Sequence, residues 1–183
     1  MSRFLMTLVL AFAMASFAST LKTEASEAEV NWITIEEAQV LMQEEPRMVF
    51  VNIYTDWCSW CRRMKSETYD HPVIAEYLND NFYAVNLNAE QEESIEFRGV
   101  EFENENLGER RPAHSFAIAL LQGQMSYPSI AFFDENLDLL TAIPGFRPPA
   151  NMEAVLAFFN DGVYKESPDL DAFLNQFEGT ISE

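Results

Sequence analysis

Met48 to Tyr54 is a nearly continuous apolar run in which Val49, Val51 and Ile53 are β-branched and Asn52 is the one polar interruption. A strand with one wet face alternates apolar and polar residues; this run does not, so it reads as a central strand covered on both sides. Helical patterns elsewhere supply the cover. Thr34 and Glu37 form a capping box ahead of Ile35, Ala38, Leu41 and Met42, which predicts a helix to about Glu45, ended by Pro46. Residues 58–66 fit a short helix, and Asp70 with Pro72 caps and begins another carrying Val73, Ile74, Tyr77 and Leu78. Further strands are expected at Phe82–Leu87, Ile130–Phe133 and Leu137–Ile143, the last two antiparallel about the turn Asp134-Glu135-Asn136. Helices are expected at Pro112–Gly123, from Pro148-Pro149 through Phe159, and after Ser167-Pro168 to about Phe177. The alternation of helix and strand implies an α/β sheet.

The chain has 183 residues, 30 Asp or Glu against 11 Lys or Arg, and a net charge of −19. That excess of acid argues against nucleic-acid partners, because phosphate contacts need clustered cations. A content of 13% aromatic residues argues against disorder of the whole chain, and two cysteines cannot staple a disulfide-rich scaffold. Ser2 and Arg3 precede a run from Phe4 to Phe17 in which only Thr7 and Ser16 are polar, followed by Ala18, so residues 1–18 read as a secretory signal peptide. The run is shorter than the ~20 residues that span a bilayer, and no stop-transfer pattern follows, so no stable membrane insertion is expected after its removal. Residues 19–30 read as a flexible leader and 31–183 as one domain. Export, to the periplasm or beyond, places both cysteines where disulfides persist.

Residues 89–111 break the pattern with eight carboxylates and few apolar positions. Ile95, Phe97, Val100 and Phe102 flank Arg98-Gly99, which predicts a small hairpin set on the domain. It reads either as a solvated excursion or as a surface for a partner.

Asp56-Trp57-Cys58-Ser59-Trp60-Cys61 follows the buried strand and opens a helix. A Cys-x-x-Cys in a first helical turn puts both sulfurs on one side, and the first faces unsatisfied N–H groups that stabilise a thiolate. Arg62, Arg63 and Lys65 add positive potential. The pattern favours redox chemistry. A structural disulfide would close a loop too small to constrain the unfolded chain much. A zinc site of Cys58, Cys61, His71 and His114 has suitable ligand types at non-standard spacing, and two inert buried cysteines are the remaining alternative. His71 and His114 are otherwise expected at the surface.

Tyr54 to Cys61, the strand before it, and Ser126-Tyr127-Pro128-Ser129 leading into Ile130–Phe133 resemble the thioredoxin-fold superfamily. Val51 to Asn88 is especially similar to the carboxy-terminal domain of bacterial transmembrane thiol:disulfide interchange proteins and to small exported thioredoxin-like proteins. The likeness covers about residues 32–160. It implies a central mixed sheet flanked by helices, with the hairpin inserted before the helix and strand that carry a cis-proline. It also implies that Cys58 attacks, Cys61 resolves, the Tyr127-Pro128 bond is cis, and Tyr127 lends its backbone to substrate. Trp57 resembles the family's aromatic beside the nucleophile. Trp60 exceeds the usual occupant and reads as a shield, a docking surface or simple packing.

The implied activity is exported thiol-disulfide exchange with protein disulfide or dithiol substrates, in the reductase direction. It needs an upstream redox partner and no metal or organic cofactor. A non-catalytic binding module for a basic partner and a metal-binding cysteine pair are the competing readings. One departure stands out: the family's buried carboxylate and its neighbouring lysine are replaced by Asn52 and Asn86, and an amide is no base.

Overall fold

The computed structural model describes residues 29–182. The expected signal peptide, and the expected leader up to residue 28, lie outside the described residues. In chain order the elements begin with α1 (Ile35–Glu44), β1 (Val49–Tyr54), α2 (Ser59–Met64), a π-helical turn (Lys65–Tyr69), α3 (Pro72–Asn81) and β2 (Tyr83–Asn88). The hairpin strands β3 (Ile95–Phe97) and β4 (Val100–Phe102) follow, then α4 (Ser115–Leu120), β5 (Ser129–Phe133), β6 (Leu139–Pro144), α5 (Pro149–Asn160), α6 (Val163–Glu166) and α7 (Leu170–Leu174).

Four strands form one mixed sheet in the order β2-β1-β5-β6. β1 runs parallel to β2 and antiparallel to β5, and β6 runs antiparallel to β5. β1 is central, as its lack of a polar face requires. Phe50 packs with Ile130, Phe132 and the helices α3 and α5, whereas Val49, Val51 and Ile53 pack with Phe133 and the helices α1 and α4. Burying each such side chain contributes roughly 1.5–3 kcal/mol, so the two apolar faces of β1 anchor both helical layers. Phe132 joins the layers' aromatic network, stacked on Phe159 at 4.0 Å and edge-on to Phe50 at 5.4 Å.

Several boundaries differ from expectation for local physical reasons. Val30, expected in the leader, is buried in the core, and the Glu29 carbonyl accepts from Asn79 Nδ2 at 2.9 Å. The short helix after Cys58 passes into the π-helical turn, where Thr68 and Tyr69 are buried. Asp70 does not cap α3; it pairs with Lys65, and His71 stands at the cap position before Pro72. Leu137 has φ +63° inside a turn held by Asp134 Oδ1, which delays β6 to Leu139. The expected final helix is α7, which stops at Leu174 rather than about Phe177 and is capped by Asp169 rather than Ser167, its side chain accepting from the Ala172 N–H; α6, ahead of Ser167, was not expected.

The carboxy-terminal tail is pinned by a buried carboxylate. Glu153 of α5 is 4% exposed and accepts from Thr180 N, Thr180 Oγ1 and Ile181 N at 2.7–2.9 Å. Burial alone would raise its pKa, but these hydrogen bonds outweigh it and hold the carboxyl below its ordinary value of 4.5. Its contribution is therefore complete above pH 4.5 and is lost as pH falls through the lower folded value. Glu153→Gln should lose about 2–3 kcal/mol at pH 7, measured by urea denaturation, and the gap from the parent should narrow below pH 4. A Cβ at Gly179 would lie 2.5 Å from Glu153 Oε2 and 2.8 Å from Phe177, so Gly179→Ala should also lower the melting temperature.

Candidate active site

β1 ends at Tyr54, and the Cys58 N–H donates to the Thr55 carbonyl at 3.1 Å to close the turn that leads into α2. Cys58 takes the cap position of α2 with φ −73° and ψ 108°, and its Sγ accepts from the Cys61 N–H at 3.0 Å. The two cysteines are joined as a disulfide with Cα atoms 5.3 Å apart. Both are buried, 4% exposed at Cys58 and 7% at Cys61, so exposure does not rank them. Position does: a thiolate at Cys58 would meet the free N–H groups of the first turn, whereas Cys61 lies within the helix.

Two tryptophans accompany the disulfide in sequence, Trp57 just before Cys58 and Trp60 between the cysteines. Trp57 is 47% exposed, and its indole N–H is shared by both oxygens of Glu90 at 2.9 Å. Tyr127 stands edge-on to it with centroids 6.0 Å apart, and the Arg111 guanidinium lies 4.3 Å from the Trp57 ring centre. Trp60 is 52% exposed and packs on Phe146 at 5.6 Å. Arg63 lies 5.1 Å from the Trp60 ring and 4.9 Å from Phe146, with its Nε bonded to Glu67 at 2.9 Å. The Tyr127-Pro128 bond is cis, and Ser129 pairs with Ile53, so Pro128 lies beside the end of β1 from which Cys58 departs. Burial, with a smaller effect from the Glu90 charge, pushes the Tyr127 hydroxyl up to about 12.

Glu90 and Arg111 were not among the residues singled out from sequence. They stand at the two ends of the acidic insertion, and both reach Trp57. The insertion is no loose excursion: β3 and β4 pair, and Phe97 and Phe102 each lie 5.2 Å from Phe116 of α4. Asn104 is 5% exposed and ties the segment together through the Gln91 and Pro112 carbonyls. His114, expected at the surface, is fully buried and caps α4: Nδ1 accepts from the Phe116 N–H, leaving Nε2–H to donate to the Glu93 carbonyl at 3.2 Å. Burial lowers its pKa, against the smaller opposing effects of the Glu93 carbonyl and Glu36. Among the described residues no group of three or more His, Cys, Asp and Glu is arranged to hold a metal ion, and neither histidine joins the cysteines.

Behind the disulfide, Asn52 Nδ2 donates to Asn86 Oδ1 at 2.7 Å and Asn52 Oδ1 accepts from the Tyr69 hydroxyl at 3.0 Å. Asn52, Asn86 and Tyr69 thus form a closed hydrogen-bonded cluster. A cavity of ≈ 360 Å³ opens beside it, reaching from Trp32 and Asn52 to Cys61.

A mixed sheet flanked by helices, with a Cys-x-x-Cys disulfide at the mouth of the helix leaving its central strand, defines a protein of the thioredoxin fold. Residues 35–160 match the thioredoxin-like domain family, and the chain belongs to it. A thioredoxin-fold protein from Helicobacter pylori is 17% identical with a TM-score of 0.55, the match covering 84% of this chain and 93% of that one. A thioredoxin from Thermus thermophilus is also 17% identical, with a TM-score of 0.52 over 72% of this chain and 87% of its own. An uncharacterised Caenorhabditis elegans protein is 22% identical over 123 residues, which are 67% of this chain and only 15% of that protein's length.

If Glu90 holds the Trp57 ring, Glu90→Ala should speed hydrogen exchange at the Trp57 indole about 5-fold, the worth of ~1 kcal/mol. The resonance is assigned by its loss in Trp57→Phe. An unchanged rate would show that the carboxylate does not restrain the ring.

Proposed function

We propose that this protein is an exported thiol-disulfide oxidoreductase that works chiefly as a reductase of protein disulfides. The observation that carries the reading is the Cys58–Cys61 pair at the strand-to-helix turn, with Cys58 at the helix cap and two exposed tryptophans beside the sulfurs. In the reduced protein the Cys58 thiolate attacks a sulfur of a partner disulfide. One partner thiol leaves and a mixed disulfide forms; Cys61 then attacks Cys58 Sγ, the second partner thiol leaves, and the Cys58–Cys61 bond closes. Two electrons pass to the partner, and an upstream dithiol partner restores the reduced pair. No step in this scheme calls on a metal or an organic cofactor.

Trp57, Trp60 and Tyr127 offer a broad amphipathic rim of the kind that protein partners use, and Pro128 sets the backbone beside it. Export to the periplasm or a similar compartment is supported by the apolar run from Phe4 to Phe17. Among the described residues no helix is long and apolar enough to cross a membrane. A second reading, docking of a basic partner without turnover, is favoured by the exposed Glu92, Glu93, Glu101, Glu103, Glu105 and Glu109 of the insertion.

Reduction of insulin disulfides by the dithiol-treated protein separates the two. Activity is expected in the parent and none in Cys58→Ser, while Cys61→Ala should accumulate partner adducts on Cys58 that dithiothreitol releases. Equal activity in the parent and Cys58→Ser, or no activity in either, contradicts the exchange mechanism.

A further inference from the structure

A thiol is a poor nucleophile until it loses its proton, and an unperturbed one does so near pH 8.5. Cys61 is buried within α2 and lacks the cap position that favours a thiolate at Cys58, so its attack needs a proton acceptor. Three polar side chains that line the same cavity as Cys61 do not provide one. Asn52 and Asn86 are amides bonded to each other, and burial pushes the Tyr69 hydroxyl well above its ordinary pKa, so Tyr69 serves as a donor.

The cavity behind the disulfide offers a different route. Cys61 and Asp56 both line it, and Asp56 is the one carboxylate among its lining residues. Two interactions fix Asp56 at the rim: Arg62 Nη1 donates to its backbone carbonyl at 2.8 Å, and Asn88 Nδ2 donates to its Oδ2 at 3.3 Å. Arg62 also lines the cavity and is a permanent cation; Lys65, the other basic lining residue, has its Nζ bonded to Asp70 at 2.9 Å. Thr55 supplies an independent observation. It is 1% exposed, it lines the same cavity, and its hydroxyl has no protein hydrogen-bond partner. A buried hydroxyl needs a partner, and one water molecule needs only ~10–15 Å³ of such a cavity, so the space admits a hydrated path.

We infer that Asp56 is the proton acceptor for Cys61 in the resolving step, acting through water in this cavity with the Thr55 hydroxyl as a bridging site. The inference rests on the exchange reaction proposed above. In the step, the Cys61 S–H proton passes through water to the Asp56 carboxylate as the Cys61 sulfur attacks Cys58 Sγ. The Cys58–partner bond breaks, the Cys58–Cys61 bond forms, and the partner leaves as a thiolate that takes a proton from solvent. Electrons balance within the three sulfurs. Asp56 later returns its proton to solvent, to which it is exposed. Because it acts through water, Asp56 is a positioning and relay residue rather than one that touches the reacting sulfurs.

The test uses 5,5′-dithiobis(2-nitrobenzoate) with the reduced protein. Attack by Cys58 releases a first thionitrobenzoate and leaves the second on Cys58; attack by Cys61 releases the second. The adduct is formed at low pH, jumped to a series between pH 5 and 9, and followed by absorbance. In Asp56→Asn the second release should slow about 10-fold or more at pH 6–7 and recover as pH rises toward 9, where hydroxide takes over. The first release should be unaltered. Thr55→Val should slow the second release in the same pH range, and Asn52→Asp placed in the Asp56→Asn protein should restore it. A second release unchanged in Asp56→Asn, or slowed by the same factor at every pH, overturns the relay. Absence of the first release in the parent protein overturns the exchange reaction itself, and the relay with it.

Discussion

The hydrogen bond from the Cys61 N–H to Cys58 Sγ, 3.0 Å long, ties this fold to its chemistry. It exists because β1 is buried on both faces and therefore cannot shift, because the Thr55 carbonyl closes the turn that follows, and because α2 begins at once. A one-residue slip of β1 would send Phe50 to the α1 side of the sheet and Val51 to the α5 side, disordering both cores. The cap position of Cys58 is thus guaranteed by packing far larger than the bond itself. The resulting environment favours a thiolate at one sulfur and withholds that help from the other.

The features legible in sequence were the local and periodic ones. The all-apolar run of β1 announced a central strand, the Thr34–Glu37 box announced α1, and the Cys-x-x-Cys announced its own turn. The antiparallel pairing of β5 with β6 followed from the short turn between them. The parts that escaped depend on distant segments. Val30 is buried only because α3 and β1 are there to cover it, and His114 caps α4 while reaching back to Glu93. No spacing rule links Glu90 to Arg111, yet both meet Trp57. The Arg110-Arg111 pair closing a run of carboxylates was the one available signal.

The rim around the sulfurs is asymmetric in origin. On one side Trp60, Phe146 and Arg63 belong to α2 and to the loop after β6. On the other, Trp57 is gripped by both ends of an insertion that is itself pinned to α1 and α4 through Gln39, Phe97 and Phe102. A cation over an exposed ring contributes roughly 0.5–1 kcal/mol, enough to orient an indole without locking it. The insertion therefore couples a strongly acidic outer surface to the posture of an aromatic beside Cys58.

The central claim is that Cys58 and Cys61 cycle between bonded and free under physiological conditions. The most direct measurement is a redox titration of the pair against defined ratios of reduced and oxidised glutathione, read by alkylation of the free thiols and mass analysis. The account predicts a single two-electron transition within reach of that buffer and displaced toward the reducing side of glutathione. A pair that stays bonded, or stays free, across the whole range would contradict it.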